Sequence, residues 1–350
     1  MTERVDYDEF GLFHQNAEEY GLPFDRPPTV RRVFADVAPV DPVAAAAPAA
    51  SVASVARGRR LSALVWQDRE PELVLLHGGC QNAHTWDTVA MALDRPLVAV
   101  DLPGHGHSDG PGDRPEGQLD VYGNAVDVAA AIRHLAPATK AVIGMSLGGL
   151  AAIALAAEAP ELVRKIVLVD VLPGIKAQRA QHITDFVAGP ASFASLDELL
   201  ERTARFNPAR SRSSLRRGIL HNAEQQPDGT WVWRWARHRR SVPPAALAPA
   251  ALAPAAPVPA ADVPGAPVPA SPAADIRYRR LWEALSSITV PLLLARGMRP
   301  DSVLDDDDER ELLRRLPSAQ VIHVQEAGHS LQGDSPLELA AIIEHFVFGS

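Results

Sequence analysis

The chain has 350 residues, 47% of them hydrophobic, enough for one large domain with an insertion or for two small ones. Its 34 basic and 43 acidic residues leave a net charge of −9, which speaks against a nucleic-acid partner. A single cysteine, Cys80, excludes an intrachain disulfide and a thiolate metal cluster. The acidic start, MTERVDYDEF, lacks the basic-then-apolar pattern of a signal peptide. No run of about 18 uncharged, proline-poor residues reads as a membrane span, so the expectation is a cytoplasmic protein with no membrane partner.

In chain order, TVRRVFADV and LSALVWQD read as two early strands, separated by an Ala/Pro/Ser-rich stretch over 37–58. ELVLLHGG is a short apolar strand ending in glycines, followed by helical spacing in NAHTWDTVAMAL. PLVAVDLPGHGHSDG is a strand with a glycine-rich turn, and YGNAVDVAAAIRHL is a helix. KAVIGM, LGGLAAIALAAEA and KIVLVD then read as strand, helix and strand. A long irregular region follows, with a second Ala/Pro-rich stretch over 242–275 read as a disordered linker. The chain closes with IRYRRLWEALSS, VPLLLARG, DDDDERELLRRL, AQVIHVQ and PLELAAIIEHFV, which alternate helix and strand. Short apolar runs alternating with amphipathic helices predict an α/β fold, a parallel sheet covered on both faces. In such sheets ligands sit beyond the carboxyl ends of the strands, so those ends are where chemistry is expected.

Three strand ends carry it. After KAVIG comes Ser146 within Gly144-x-Ser146-x-Gly148, a serine on a sharp strand-to-helix turn whose neighbours must be small. The helix N-terminus behind it favours a developing oxyanion. After ELVLL comes His77-Gly78-Gly79-Cys80, a loop whose backbone N–H groups suit an oxyanion hole. Gly79 with Leu147 is the expected donor pair, Cys80 the alternative to Gly79, and His77 an organiser of the loop. After AQVIHVQ comes His329, next to Gly328, the histidine placed to act as base. Two aspartates at strand ends could orient it. Asp301 is preferred, since its lead of 28 residues over His329 leaves room for a helix and a strand; Asp170 is the alternative acid. Asp305–Asp308 read instead as first-turn charges of a helix.

The order Ser146, Asp301, His329, with HGG, DLPGHGHSDG, GMSLGG and AGHSLQGDSP each in place, resembles the α/β-hydrolase superfamily from about Leu61 to Phe348. The resemblance implies a mostly parallel eight-stranded sheet flanked by helices, a helical cap inserted after the sixth strand, and no metal or organic cofactor. It divides the chain into an N-terminal segment (1–58), a first core part (59–170), the cap (171–276, including the Ala/Pro-rich stretch) and a second core part (277–350). The activity implied is serine hydrolysis of an ester, thioester, lactone or activated carbon–carbon bond of a small acyl substrate. A cofactor-free, haloperoxidase-like perhydrolase would use the same triad. A non-catalytic receptor on this fold would have no need of His329. Ser146 stands where aspartate-nucleophile members carry aspartate.

Within the cap, ten arginines lie between Arg202 and Arg240 against two acids, Glu224 and Asp228. They read as solvated surface charge or, if they face the site, as an attraction for anionic substrates. PDGTWVWRWARH predicts a hairpin strand with Trp231, Trp233 and Trp235 on one face, packed on the core or lining an apolar acyl pocket.

Overall fold

The computed structural model describes residues 5–37, 58–110, 120–174, 176, 178–239 and 272–349. The Ala/Pro-rich stretch at 37–58 lies outside them except at its ends, as does 242–271 of the second stretch.

Eight strands form the main sheet: β1 (Val30–Val37), β2 (Arg59–Trp66), β3 (Leu73–Leu76), β4 (Leu97–Val100), β5 (Ala141–Met145), β6 (Ile166–Val169), β10 (Leu292–Gly297) and β11 (Gln320–Val324). Their order is β1-β2-β4-β3-β5-β6-β10-β11. β2 runs antiparallel to both β1 and β4, and the remaining pairs are parallel. The central strands LVLL, AVIGM and IVLV are buried at every position. That is why they read as unbroken apolar runs: helices cover both faces of the sheet. One face packs on α3 (Val121–Leu135), α4 (Leu147–Glu158) and α8 (Pro272–Ser286), the other on α1 (Phe13–Tyr20), α2 (Asp87–Leu93) and α11 (Pro336–Phe348). α9 (Asp306–Arg315) starts with a capping box in which Asp305 and Asp308 exchange side-chain-to-backbone bonds, as the acidic run suggests.

The segment between β6 and β10 departs from an all-helical insertion. α5 (Gln181–Val187), α6 (Leu196–Phe206) and α7 (Arg212–Asn222) accompany a three-stranded antiparallel sheet of β7 (Ser192–Phe193), β9 (Trp231–Trp233) and β8 (Ala223–Gln225). The Pro-Asp-Gly turn joins β8 to β9 because Gly229 supplies the positive φ, +89°, that the turn requires. These elements share a separate apolar cluster, in which Phe193, Leu199, Leu215 and Trp231 are buried. α8 begins at Pro272, inside the stretch read as linker, because proline is favoured at the first helical position and the alanines after it favour helix.

Candidate active site

Ser146 sits between β5 and α4 with φ +49° and ψ −116°, a conformation that L-residues rarely adopt. Small neighbours make the turn possible. A side chain at Gly148 would collide with the backbone carbonyls of Leu76 and His77, so only glycine lets α4 approach β3 this closely. The hydroxyl is thereby presented at the N-terminus of a twelve-residue helix, beyond the carboxyl end of the central strands.

His329 follows β11 and is buried. Its Nδ1 lies 3.0 Å from Asp170 Oδ2. A carboxylate only accepts, so Nδ1 carries a proton, and in the neutral ring the lone pair is on Nε2. Asp170 caps β6 at φ +46° and is fully enclosed. Its Oδ1 accepts from Gly297 N–H (3.0 Å) and Ser302 Oγ (2.7 Å), and its Oδ2 also accepts from Val303 N–H (3.1 Å). This corrects the preference for Asp301. The Asp301 side chain is 45% exposed and pairs with Arg299 at 3.3 Å, whereas that of Asp170 is 0% exposed. Asp301 lies against Gly328, beside the histidine, yet its oxygens turn to the arginine. The loop after β10 serves the site differently from what was expected: its Ser302 and Val303 donate to Asp170.

The HGG loop is organised by two histidines. His77, fully buried, accepts from Leu102 N–H at Nε2 (2.9 Å) and therefore donates from Nδ1 to Gly78 O (2.7 Å). Burial, then the neighbouring His105, pushes its pKa down to about 3, so the ring stays neutral. His105 accepts from Cys80 N–H (3.1 Å), while Gly78 N–H donates to Gln81 Oε1 (3.0 Å). Cys80 is thus excluded as a free donor. Gly79 N–H and Leu147 N–H have no protein acceptor among the described residues, and open space fronts Gly79.

Ser146, His329, Gly79 and Leu147 all face one cavity of about 600 Å³. The insertion supplies much of its wall, including Phe186, Phe206, Leu215 and Trp233. Trp231 and Trp235 are buried in the insertion's own cluster, so of the three tryptophans Trp233 alone lines this cavity. The arginines divide as well. Arg205 and Arg216 are exposed, and Arg217 is buried in an ion pair with Glu19. Arg210 faces the cavity.

Among the described residues His84, Asp87 and His221 bring three metal-type donor atoms within 4.8 Å of one another. They do not fit a metal. His84 bonds Asp87 through Nδ1 (2.9 Å) and Glu9 through Nε2 (3.0 Å). Burial works against its charge, but Asp87 and Glu9 outweigh it and push the pKa up to about 9. A doubly protonated ring has no lone pair for an ion. His221 stacks on it at 3.8 Å and bonds Tyr7 OH (2.7 Å).

The α/β-hydrolase fold family matches residues 71–336. The chain is 34% identical to "Esterase Rv0045c" of Mycobacterium tuberculosis over 344 residues, 96% of this chain and 94% of that one. A crystal structure of that esterase superimposes with a TM-score of 0.70, covering 98% of both chains. A pimeloyl-acyl-carrier-protein methyl ester esterase of Vibrio campbellii is 27% identical over 285 residues, 76% of this chain and 91% of its own. The solved E-2-(acetamidomethylene)succinate hydrolase, 24% identical, shares the fold with a TM-score of 0.64 over 83% of this chain and 95% of that one. No described helix is long and apolar enough to cross a membrane. By sequence and by architecture the chain belongs to the α/β-hydrolase fold family, as a carboxylesterase-like hydrolase.

Proposed function

We propose that the protein is a serine esterase in which Ser146 is the nucleophile, His329 the general base and Asp170 the acid that orients it. Ser146 Oγ attacks the ester carbonyl while its proton passes to His329 Nε2. Gly79 N–H and Leu147 N–H receive the oxyanion, and Asp170 stabilises the imidazolium. Collapse breaks the ester bond, and the leaving alkoxide takes the proton from His329. Water, deprotonated by the same nitrogen, then attacks the acyl-enzyme, and the carboxylic acid departs as Ser146 regains its proton. The described residues of the 171–276 segment act as a cap whose inner wall, with Phe186, Leu215 and Trp233, receives the acyl chain.

The observation that carries this reading is the 3.0 Å His329–Asp170 bond in the cavity that holds a serine at φ +49°. The test is labelling with a fluorophosphonate, followed by peptide mass spectrometry. The adduct should sit on Ser146, and Ser146→Ala should lose both labelling and about 10⁵-fold or more of kcat on an aryl ester. Labelling that persists in that variant would refute the assignment.

A further inference from the structure

Arg210 lines this cavity with no carboxylate in ion-pair contact, although Glu19 and Asp334 lie near enough to feel its charge. Among the described residues its side chain makes one hydrogen bond, from Nη2 to Ser214 Oγ at 2.6 Å, and its buried Nε has no partner. No carboxylate of the described residues lies within 4.0 Å of it. The other cavity arginines differ: Arg217 pairs with Glu19, and Arg299 with Asp301 at 3.3 Å and Asp334 at 3.9 Å. The acids nearest Arg210 are engaged elsewhere. Glu19 holds Arg217 and Ser211, and Asp334 accepts from Gly328 N–H at 3.0 Å. The fold also clears room for this guanidinium. A Cβ on Gly333 would stand 2.6 Å from Arg210 Nη1, so glycine there leaves the arginine in place. Gly333 belongs to α10 (Leu331–Asp334), the turn just after His329, and Arg210 and His329 line the same cavity.

A half-buried guanidinium with an unused edge costs desolvation that an anionic ligand would offset. We propose that Arg210 is an anion subsite of the acyl pocket, and that the preferred substrates are esters whose acyl chain carries a carboxylate at its far end. The proposal rests on the esterase reading above. It selects one residue from an arginine-rich insertion: Arg216 is exposed and Arg217 is neutralised by Glu19.

The experiment compares kcat/KM for p-nitrophenyl esters ending in a carboxylate with isosteric esters ending in a carboxamide, over several chain lengths. At the best length the carboxylate ester should be favoured about ten- to a hundredfold, the worth of a charge-assisted hydrogen bond. The preference should persist at high salt, which screens diffuse steering but not a direct contact. In Arg210→Met the ratio should fall to about one, with the loss in KM for the charged ester. Gly333→Ala, which keeps the arginine but displaces it, should lower the ratio by a smaller factor. No preference at any length, a preference surviving in Arg210→Met, or an equal loss for both esters in that variant would each overturn the proposal. Failure of the esterase reading looks different, because both esters would still be hydrolysed by Ser146→Ala.

Discussion

Two carboxylate–histidine arrangements lie on this cavity, and they are built for different ends. At the carboxyl edge of the sheet Asp170 holds His329 by Nδ1 alone, and His329 lines the cavity that Ser146 also lines. Farther along, His84 is gripped on both nitrogens, by Asp87 at 2.9 Å and Glu9 at 3.0 Å. The first ring can accept a proton during a reaction. The second already holds two and ties three parts of the chain together: Glu9 from the N-terminal segment, Asp87 from α2, and His221, stacked on it, from α7. Carboxylate proximity alone therefore does not mark a histidine as the base. The proposed base differs in having a second nitrogen without a carboxylate partner, on a cavity that Ser146 also lines.

The sharpest way to break this comparison is to neutralise the acid. Asp170→Asn should lower kcat by about 10³- to 10⁴-fold, because an amide no longer fixes the Nδ1–H tautomer. Asp301→Asn, which weakens a part-exposed pair with Arg299 and leaves the Asp170–His329 bond in place, should cost a few-fold at most. Stopped-flow or steady-state kinetics on one aryl ester decide it, and the reverse order of losses would return the acid role to Asp301.

The preference for Asp301 shows where sequence reading ends. Both aspartates follow strands, and the 28-residue lead over His329 constrains chain order, not distance. Asp170 follows Val169 directly, at the strand end itself. Asp301 lies four positions beyond Gly297, far enough for the loop to turn its carboxylate to Arg299 and offer Ser302 and Val303 to Asp170 instead. The core was otherwise readable, since burial on two faces writes apolar runs such as LVLL and IVLV directly into the sequence. Gly144-x-Ser146-x-Gly148 was readable because sterics leave few residues for that turn. The insertion was not. Whether Arg217 meets substrate or Glu19, and whether Trp231 faces a cavity or its own cluster, depends on contacts with distant segments. The DLPGHGHSDG motif contains His105 but does not show its acceptor role on Cys80 N–H, which joins residues 25 positions apart.

A milder cut sharpens the same pair. Ser302→Ala removes the 2.7 Å bond to Asp170 Oδ1 and leaves the carboxylate its two backbone donors, Gly297 and Val303. The loss in kcat should be about tenfold, the scale of one hydrogen bond to a charged group. A positioning role leaves a second mark. Because Ser302 acts through Asp170 and His329 rather than on the substrate, the loss should fall on kcat with KM little changed. A loss carried by KM instead would make Ser302 a packing residue.

The smallest effect belongs to the other histidine, and it should appear in stability rather than rate. His84 is pushed up to about 9 from 6.5, against burial, chiefly by Asp87 and Glu9. Glu9, despite its own burial, is held down to about 2 from 4.5 by His84 and Arg32. A raised histidine contributes stability that is complete below pH 6.5 and is lost as pH rises through 9. A depressed glutamate contributes stability that is complete above pH 4.5 and is lost as pH falls through 2. Glu9→Gln should therefore destabilise the fold by about 1 kcal/mol, the worth of one partly exposed charged hydrogen bond. The gap from the parent chain should be widest between pH 4.5 and 6.5 and narrow on both sides, toward 2 and toward 9. Urea unfolding over that range, with esterase assays alongside, is the measurement. A gap that ignores pH would remove the charge from the explanation. A large fall in kcat would mean that the Glu9–His84 pair serves the reaction after all, and the contrast with Asp170–His329 would collapse.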